Sequence, residues 1–256
     1  MTVLGIVGSP RKNGRTNALV DALLDGAAQE GVNTKKIYLI DYEIRSFTNP
    51  TGSLDGSQFC PDELSELCGE ADAIALGAPV YWGDINGLTK DFMDAVKIAG
   101  ANGKPAVGIA IAGGTGKGLL SGVQSIYHFF YHKQMRGIDP TPVSRFNMEK
   151  TLEALKATGA RLAKVSQNKE PFPGETRDAR WPAVLAYYAS TDVLARDPVD
   201  EFVMLAQQLI DISEGEEVDE ARELLDKGLT LIQEGKRGEG AEYVVRSYQT
   251  LYFPPE

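Results

Sequence analysis

The stretch from Val3 to Leu24 limits the choice of fold more than any other part of the sequence. An apolar run, Val3 to Val7, is followed by a polar loop, Gly8 to Thr16, and then by a segment whose apolar residues recur at helical spacing. The short apolar run is typical of a strand buried on both faces, and the periodic segment predicts a helix that packs on a sheet through one side. Strand, loop and helix in this order predict an α/β fold in which the loop lies at the carboxyl end of a parallel strand.

The loop between this strand and helix is suited to binding phosphate. Main-chain N–H groups and the positive end of the helix dipole meet at such a position. A Walker A loop starting at Gly8 is excluded because it needs glycine in place of Asn13, and a dinucleotide-binding fingerprint is excluded because the next glycine after Gly8 is Gly14. The side chains that add donors or charge are Ser9, Arg11, Asn13 and Thr16.

Length and composition indicate a globular protein with an ordinary core. The chain has 256 residues, of which 43% are hydrophobic and 24% charged, and this suits one domain with an extension. Its net charge of −10 argues against duplex nucleic acid or an anionic membrane surface as the main partner. No apolar stretch is long enough to span a bilayer, and the chain enters its first strand at once, so we expect a cytoplasmic protein. We interpret the only two cysteines, Cys60 and Cys68, as ordinary thiols.

A second candidate ligand-binding loop, with two aromatic residues, follows another predicted strand. Ala73 to Gly77 is a buried apolar run, and the loop that begins at Ala78 continues through Tyr81, Trp82 and Gly83 toward a helix. Two large aromatic side chains at the carboxyl end of a strand are costly to leave in water, and a flat ring system would cover them. Burial of these aromatics in the core is the alternative.

A third loop with the same placement follows the strand predicted from Pro105 to Ala112. Its sequence, Gly113 to Gly118, is mostly glycine, so main-chain amides can approach a ligand closely. A glycine-rich turn is weak evidence alone. Open α/β sheets, however, bind ligands across the carboxyl ends of their strands, and all three loops would meet there.

The remaining elements of the first domain complete a five-stranded sheet. Thr34 to Ile40 reads as the second strand, and Met135 to Arg145 as a fifth strand that Pro140 and Pro142 place near an edge. Met148 to Gln167 reads as the closing helix.

Leu119 to Met135 reads as a helix with an aromatic face. His128 and His132 lie one turn apart on it, but the zinc-protease pattern would need Glu at the position of Phe129. We therefore expect no metal site, and instead an aromatic face that is buried in the core or against a second subunit.

The last third of the chain reads as a helical extension. A polar linker, Asn168 to Arg180, precedes it, so we divide the chain into a first domain of residues 1–168 and an extension of residues 169–256. One helix of the extension has an apolar stripe that must be buried against the first domain or a second copy, and the extension would serve dimerisation or cover the active site. The predicted helices are Trp181 to Leu194, Val199 to Ile212, Val218 to Gln233 and Gly240 to Tyr252.

Two of these stretches, Gly8 to Asn17 and Pro79 to Gly83, resemble the flavodoxin-like NAD(P)H-dependent FMN reductases, including their iron-sulfur flavoprotein branch. The resemblance covers Val3 to about Gln167 and is most specific in the first two loops. It implies a flavodoxin-like, doubly wound, parallel five-stranded sheet that binds FMN across the three loops. The C-terminal helical extension lies outside the resemblance.

In the iron-sulfur flavoprotein branch, the stretch that corresponds to Asp41 to Phe59 carries a compact set of cluster-binding cysteines. The present sequence has only Cys60 near its end, and four thiolates are the usual requirement for a cluster. We therefore expect no bound iron-sulfur cluster, and we interpret this stretch as a wall of the substrate pocket or a subunit contact.

The resemblance implies an FMN-dependent oxidoreductase that passes a hydride from NADH or NADPH to bound flavin and then to a small acceptor, such as a free flavin or a quinone. The flavin carries this chemistry, so we expect no catalytic side chain and no metal. The partners would be the nicotinamide cofactor and the acceptor, and the protein would be a homodimer or homotetramer that binds neither nucleic acid nor membrane. The residues predicted to bind the cofactor are Ser9, Arg11, Asn13, Gly14, Thr16, Asn17, Pro79, Val80, Tyr81, Trp82, Gly83, Gly113, Gly114, Thr115 and Gly116.

Two other functions stay open at this point. A flavodoxin-type electron carrier would bind FMN but take electrons from a protein partner, and an acidic surface suits that role too. The loop that contains Arg11 differs from the hydroxyl-and-glycine loop of flavodoxins, and a minimal carrier has no use for a long extension. A binding module that has kept the fold without the redox role is the third alternative.

Overall fold

The computed structural model describes residues 1–46 and 59–253, in which one sheet is covered by helices on both faces. The strands are β1 (Thr2–Val7), β2 (Asn33–Tyr38), β3 (Ala73–Tyr81), β4 (Asp84–Ile85), β5 (Pro105–Ala112), β6 (Arg136–Gly137) and β7 (Thr141–Ser144). The helices are α1 (Arg15–Gln29), α2 (Asp62–Glu70), α3 (Gly87–Ala95), α4 (Leu119–His132), α5 (Met148–Gln167), α6 (Trp181–Ala189), α7 (Asp192–Ala195), α8 (Pro198–Ile212), α9 (Glu216–Gln233) and α10 (Arg237–Tyr252).

The sheet has the strand order of a flavodoxin-like fold. The order is β2-β1-β3-β5, and β6 and β7 follow one another along the free edge of β5. All these pairings are parallel, and the short strand β4 adds an antiparallel hairpin to β3. The predicted fold class is therefore confirmed. The strand order reverses between β1 and β3, and the carboxyl ends of the strands at such a point form the usual ligand crevice.

Three strands differ in detail from their predicted bounds. β3 continues to Tyr81, beyond the predicted end at Gly77, because the three residues before Tyr81 pair with β5. β2 ends at Tyr38, and Leu39–Asp41 forms a 3₁₀ turn. The fifth strand lies at the sheet edge as predicted, but it is divided into β6 and β7, with Pro140 between them.

Two helices cross each other closely on one face of the sheet. α1 and α5 pack on one face, and their backbones touch: a Cβ atom on Gly26 would collide with the Lys156 carbonyl group, and one on Gly159 with the Leu23 carbonyl group. α2, α3 and α4 cover the other face. The close crossing with α5 fixes the position of α1, whose N-terminus follows the first loop.

The aromatic face of α4 is buried within the chain itself. Tyr127 and Phe130 are fully buried, and the Tyr131 ring packs against Trp181 and Tyr188 with centroid distances of 5.2 and 5.5 Å. The two histidines of this helix are exposed. Of the two locations that the sequence allowed, the core is therefore the one that the structure shows.

The residues after α5 divide into two parts. The first part, which includes Phe172, Val184 and Tyr188, completes the core on the α4 side of the sheet. The second part, α8 to α10, forms a separate apolar cluster that also includes Ala112, Leu119 and Phe146, and in which the α9 stripe from Val218 to Leu225 is buried. The apolar stripe thus needs no second copy of the chain to cover it. The boundary predicted at residue 168 is the end of α5, but the chain that follows shares the core.

Three further predictions concern single segments. The helix predicted from Trp181 to Leu194 is broken into α6 and α7 at Ser190, where Thr191 adopts an extended backbone as the N-cap of α7. Of the loop from Asp41 to Phe59, residues 47–58 lie outside the described part. Within residues 1–46 and 59–253, no helix has the length and apolar character needed to cross a membrane.

Candidate functional site

The loop after β1 turns tightly into α1 and leaves the helix N-terminus open. The amide of Gly14 donates to the carbonyl oxygen of Arg11 over 3.2 Å, and the amide of Arg11 donates to Ser9 Oγ over 3.1 Å. Gly14 is the N-cap of α1 and provides no side-chain cap, and the first turn of the helix contains no acidic residue. The positive end of this helix dipole is therefore available to an anion.

Buried polar residues at the start of α3 hold this loop in place. Asn86 Nδ2 donates to the carbonyl oxygen of Gly8 over 2.9 Å, and Thr89 Oγ1 donates to Asn86 Oδ1 over 2.6 Å. A Cβ atom on Gly8 would collide with the Thr89 hydroxyl group, so only glycine fits there. Neither Asn86 nor Thr89 is among the residues predicted from the sequence. The available signal was an asparagine immediately before a predicted helix.

β3 and β4 form a hairpin whose tip carries two exposed aromatic residues. Trp82 and Gly83 are its turn residues, with φ values of 54° and 89°, and a type I′ turn requires positive φ at both positions. The Trp82 side chain is completely exposed and Tyr81 is 49% exposed. Burial of these aromatics in the core is therefore excluded, and both rings are free to contact a ligand.

The third loop lies directly against this hairpin. A Cβ atom on Gly118 would stand 2.6 Å from the Cα atom of Gly83, so the two backbones approach as closely as glycine allows. Ser121 Oγ also donates to the carbonyl oxygen of Gly83. Open space surrounds the Cα atoms of Gly113 and Gly114, where a ligand can approach the main chain.

The three segments line a single cleft of about 990 Å³. The cleft lies where β1, β3 and β5 end, and its volume is of the order that a nucleotide-sized ligand needs. It combines an open helix N-terminus, exposed aromatic rings and accessible glycine backbone. The predicted residues that line it are Ser9, Arg11, Asn13, Gly14, Thr16, Pro79, Val80, Tyr81, Trp82, Gly83, Gly113, Gly114 and Thr115.

Two predicted residues do not line the cleft. The amide oxygen of Asn17 accepts from Lys36 Nζ over 2.8 Å and from the Tyr38 hydroxyl over 2.9 Å. Gly116 is buried under α8, where Leu205 Cδ2 would lie 2.6 Å from a Cβ atom. The cleft has three further lining residues, which are Arg15, Ile111 and Lys117.

The basic residues around the first loop have different partners. Lys12 Nζ lies 2.5 Å from Asp41 Oδ1 and over the ring of Tyr38, so its charge is neutralised outside the cleft. Arg11 and Arg15 line the cleft, and no carboxylate of the described residues forms an ion pair with either. The cleft therefore has positive side-chain charge available for an anionic ligand.

Comparison with known proteins identifies the family. A model described as NADPH-dependent FMN reductase matches residues 1–143, which are more than half of the chain. The chain belongs to the NADPH-dependent FMN reductase family. The matched segment contains all three loops and the hairpin but ends before α5, so the FMN reductase model does not describe α5 to α10.

Individual relatives agree with this family. An iron-sulfur flavoprotein of Methanocaldococcus jannaschii is 35% identical over 153 residues, which cover 55% of this chain and 79% of the relative. An iron-sulfur flavoprotein of Archaeoglobus fulgidus is 30% identical over 125 residues, which cover 46% of this chain and 57% of the relative. Among solved structures, RosB with bound 8-demethyl-8-formylriboflavin-5'-phosphate has a TM-score of 0.50 and 13% identity, over 75% of this chain and 87% of that chain, and this likeness shows the fold alone.

Membership of the FMN reductase family supports a flavin-dependent oxidoreductase with FMN as its flavin. The structure itself fits that cofactor. The open N-terminus of α1 and the side chain of Arg11 suit a phosphate group. Gly113 and Gly114 line the cleft with open space beside their main chain, and the exposed Trp82 ring suits a planar heterocycle.

The two cysteines of this FMN reductase family member are poorly suited to holding an iron-sulfur cluster. The sequence has two cysteines, and burial raises the pKa of Cys60 to about 11 and that of Cys68 to about 12. Thiolate is the form that binds iron, so burial works against cluster binding at both residues. Outside residues 47–58 and 254–256, no group of three or more His, Cys, Asp or Glu side chains is arranged to hold a metal ion.

Proposed function

We propose that this protein is an FMN-dependent NAD(P)H oxidoreductase that reduces a small acceptor. The observation that carries the proposal is the convergence of the three loops on one cleft, because a phosphate-type loop, exposed aromatics and open glycine backbone together suit a phosphorylated planar cofactor. Family membership supports the same conclusion.

In this proposal the first loop holds the phosphate group of FMN. Arg11 supplies a charged donor, and the open main-chain amides at the start of α1 supply further donors. The side chain of Asn17 has no role in this proposal, since its amide oxygen accepts hydrogen bonds from Lys36 and Tyr38. The side chains proposed to bind the phosphate are Ser9, Arg11, Asn13 and Thr16.

The hairpin and the third loop would bind the ring system. Pro79 to Gly83 would run along one side of it, and Gly113 to Thr115 along another, with main-chain groups close to the cofactor. Bound FMN would supply the hydride and electron chemistry, so the protein needs no nucleophile or general base of its own. What these residues do is bind the ring, orient it and surround it with fixed main-chain dipoles.

The exposed ring of Trp82 also bears on the second substrate. It stands in water at the cleft, beside the half-exposed Tyr81. We propose that the nicotinamide group, and afterwards the acceptor, stack on the face of the bound ring system that Tyr81 and Trp82 leave open, because both are planar and stack well on an aromatic face. A free flavin and a quinone are acceptors of this kind.

The decisive experiment is anaerobic mixing of the purified protein with FMN and then with NADPH or NADH. We expect the protein to bind FMN and the absorption near 450 nm to bleach faster than that of free FMN at the same nicotinamide concentration. Bound flavin that does not bleach with either nicotinamide would contradict the enzyme and favour the electron carrier. Absence of FMN binding would favour a binding module.

We also propose that the protein acts in the cytoplasm as a homodimer or homotetramer. The exposed apolar side chains of Leu185 and Ile212, which do not line the cleft, support an assembly, since a partner can cover such side chains. Light scattering coupled to gel filtration, with and without FMN, measures the assembly directly. A monomeric mass in both conditions would contradict this part of the proposal.

A further inference from the structure

Two C-terminal helices, α8 and α10, contact the third loop of the cleft at several residues. α8 contacts the end of the loop through Glu201, and α10 contacts its middle through Tyr248. Both helices lie beyond residue 143, where the match to the FMN reductase model ends. Besides the hairpin, this loop therefore has a second support, in the part of the chain that lies outside the match to the family model.

Glu201 binds the junction between the third loop and α4. Its two carboxylate oxygens accept separate hydrogen bonds, from the amide of Gly118 over 2.9 Å and from the amide of Leu120 over 3.0 Å. A carboxylate in this position caps the helix and neutralises the positive end of its dipole. It fixes the main-chain amides of Gly118 and Leu120 at the point where the loop becomes a helix.

Tyr248 and its neighbours fix the middle of the loop. The Tyr248 hydroxyl donates to the carbonyl oxygen of Thr115 over 2.9 Å, and burial raises its pKa to about 12, so it stays protonated at neutral pH. Lys117 Nζ lies 5.7 Å from the centre of the Tyr248 ring and 5.2 Å from that of Phe202. Gly116 is packed under α8, with no room for a side chain. Each residue from Thr115 to Gly118 thus has a partner in the extension.

We propose that Glu201 and Tyr248 are positioning residues of the flavin site, which hold the third loop so that Gly113 to Thr115 present their main chain to the ring system and Lys117 stays at the cleft. This inference rests on the proposed function. It makes the extension part of the cofactor site rather than a separate assembly module. Because the third loop faces the ring system and not the phosphate, loosening it weakens FMN and riboflavin equally.

The first test compares Tyr248→Phe with Tyr243→Phe in the full-length protein. Tyr243 lies on the same helix, where its ring contacts Lys227 instead of the third loop. Titration of flavin fluorescence should show that Tyr248→Phe weakens FMN and riboflavin by a similar factor and that the control changes neither. The factor should be at most about fivefold, because the free energy of one hydrogen bond sets the upper limit on the added cost of ordering the loop around the flavin. The visible circular dichroism of the bound flavin should also change in Tyr248→Phe alone, because it reports the orientation of groups around the ring.

The second test uses Glu201→Gln, with Glu220→Gln on the exposed side of α9 as the control for lost charge. Hydrogen exchange of the flavin-free proteins should be faster at residues 113–120 in Glu201→Gln and unchanged there in the control. Wild-type protein that binds no FMN would overturn the proposed function, and with it the positioning role. Wild-type protein that binds FMN, together with unchanged flavin affinity in Tyr248→Phe, would overturn the positioning role alone. A lower Tm with unchanged affinity and dichroism would likewise show a purely structural contact.

Discussion

The hydroxyl group of Tyr248, on the last helix of the chain, donates a 2.9 Å hydrogen bond to the carbonyl oxygen of Thr115, in the third loop of the cleft. The first loop is held differently, by Asn86 within the family segment. The cleft therefore has one support inside the segment that matches the family model and one in the extension. This arrangement separates phosphate binding, at the first loop, from ring positioning, at the third.

Replacement of Arg11 by alanine tests the phosphate assignment. Arg11 lines the cleft beside the open N-terminus of α1, so its loss should weaken FMN about tenfold, as expected for a hydrogen bond to a charged group. Riboflavin has no phosphate and should bind nearly as before. Fluorescence titration with both ligands measures the difference.

Lys12→Ala is the matched control for this experiment. Lys12 is the next residue and has the same charge, but it is paired with Asp41 outside the cleft. Its removal should leave the affinity for FMN within about twofold, because Lys12 does not line the cleft and an exposed ion pair contributes little free energy. Equal losses of FMN and riboflavin in Arg11→Ala, or equal effects of the two substitutions, would show the assignment of the loop to be wrong.

Replacement of Trp82 by alanine separates flavin binding from stability. The side chain is fully exposed, so the Tm of the flavin-free protein should hardly change. Affinity for FMN should fall about fivefold, since stacking of aromatic rings contributes on the order of 1 kcal/mol. Leu185→Ala, an exposed apolar residue on α6, should change neither quantity. A large drop in Tm with unchanged affinity would mean that Trp82 serves the hairpin and not the ligand.

The sequence was most informative where structure is dictated locally. Each of the three loops follows a buried strand and precedes a helix, and parallel strands bring their carboxyl ends to one edge whatever the rest of the chain does. The end of β3 was harder to predict, because Pro79 and Tyr81 look like loop residues. They belong to β3 because they pair with β5 and β4, and this pairing depends on contacts between segments that are not predicted from local sequence.

Long-range contacts explain why some site residues were predicted wrongly or missed. The side chain of Asn17 has the right chemistry for phosphate, but Lys36 and Tyr38 of the adjacent strand engage it. Gly116 looks like part of an open glycine cradle, yet Leu205 lies against it. The residues next to Asn17 and Gly116 in the sequence predict neither contact. The same reason hides the roles of the extension, whose partners lie more than eighty residues earlier.

The two cysteines should be unreactive in the folded protein. Burial raises the pKa of Cys60 to about 11 and that of Cys68 to about 12, and thiolate is the reactive form. At pH 8 a disulfide reagent such as Ellman's reagent should therefore label neither residue quickly. In guanidinium chloride it should label two thiols for each chain. Rapid labelling of one thiol in the native protein would contradict the burial of that residue, and Cys60→Ser would show which one reacts.

Acid should loosen the extension through Asp197. Arg237 of α10 donates to both carboxylate oxygens of this residue, over 2.5 and 2.7 Å, and these hydrogen bonds lower the pKa of Asp197 to about 2. A carboxylate whose pKa is lower in the folded state stabilises the fold above its unfolded pKa of about 4, and this contribution is lost as the pH falls toward 2. The contact between α8 and α10 should weaken in that range.

Asp197→Asn isolates this effect, because asparagine keeps the N-cap of α8 but cannot form the ion pair. At pH 7 the variant should have a lower Tm than the wild type, by a modest amount that salt reduces further, since both partners are partly exposed. Between pH 4 and pH 2 the difference should shrink, as the wild-type carboxylate takes up its proton. Thermal unfolding of both proteins across this range, at low and high salt, measures the difference. A gap in Tm that stays constant down to pH 2 would mean that the charge of Asp197 does not hold the two helices together.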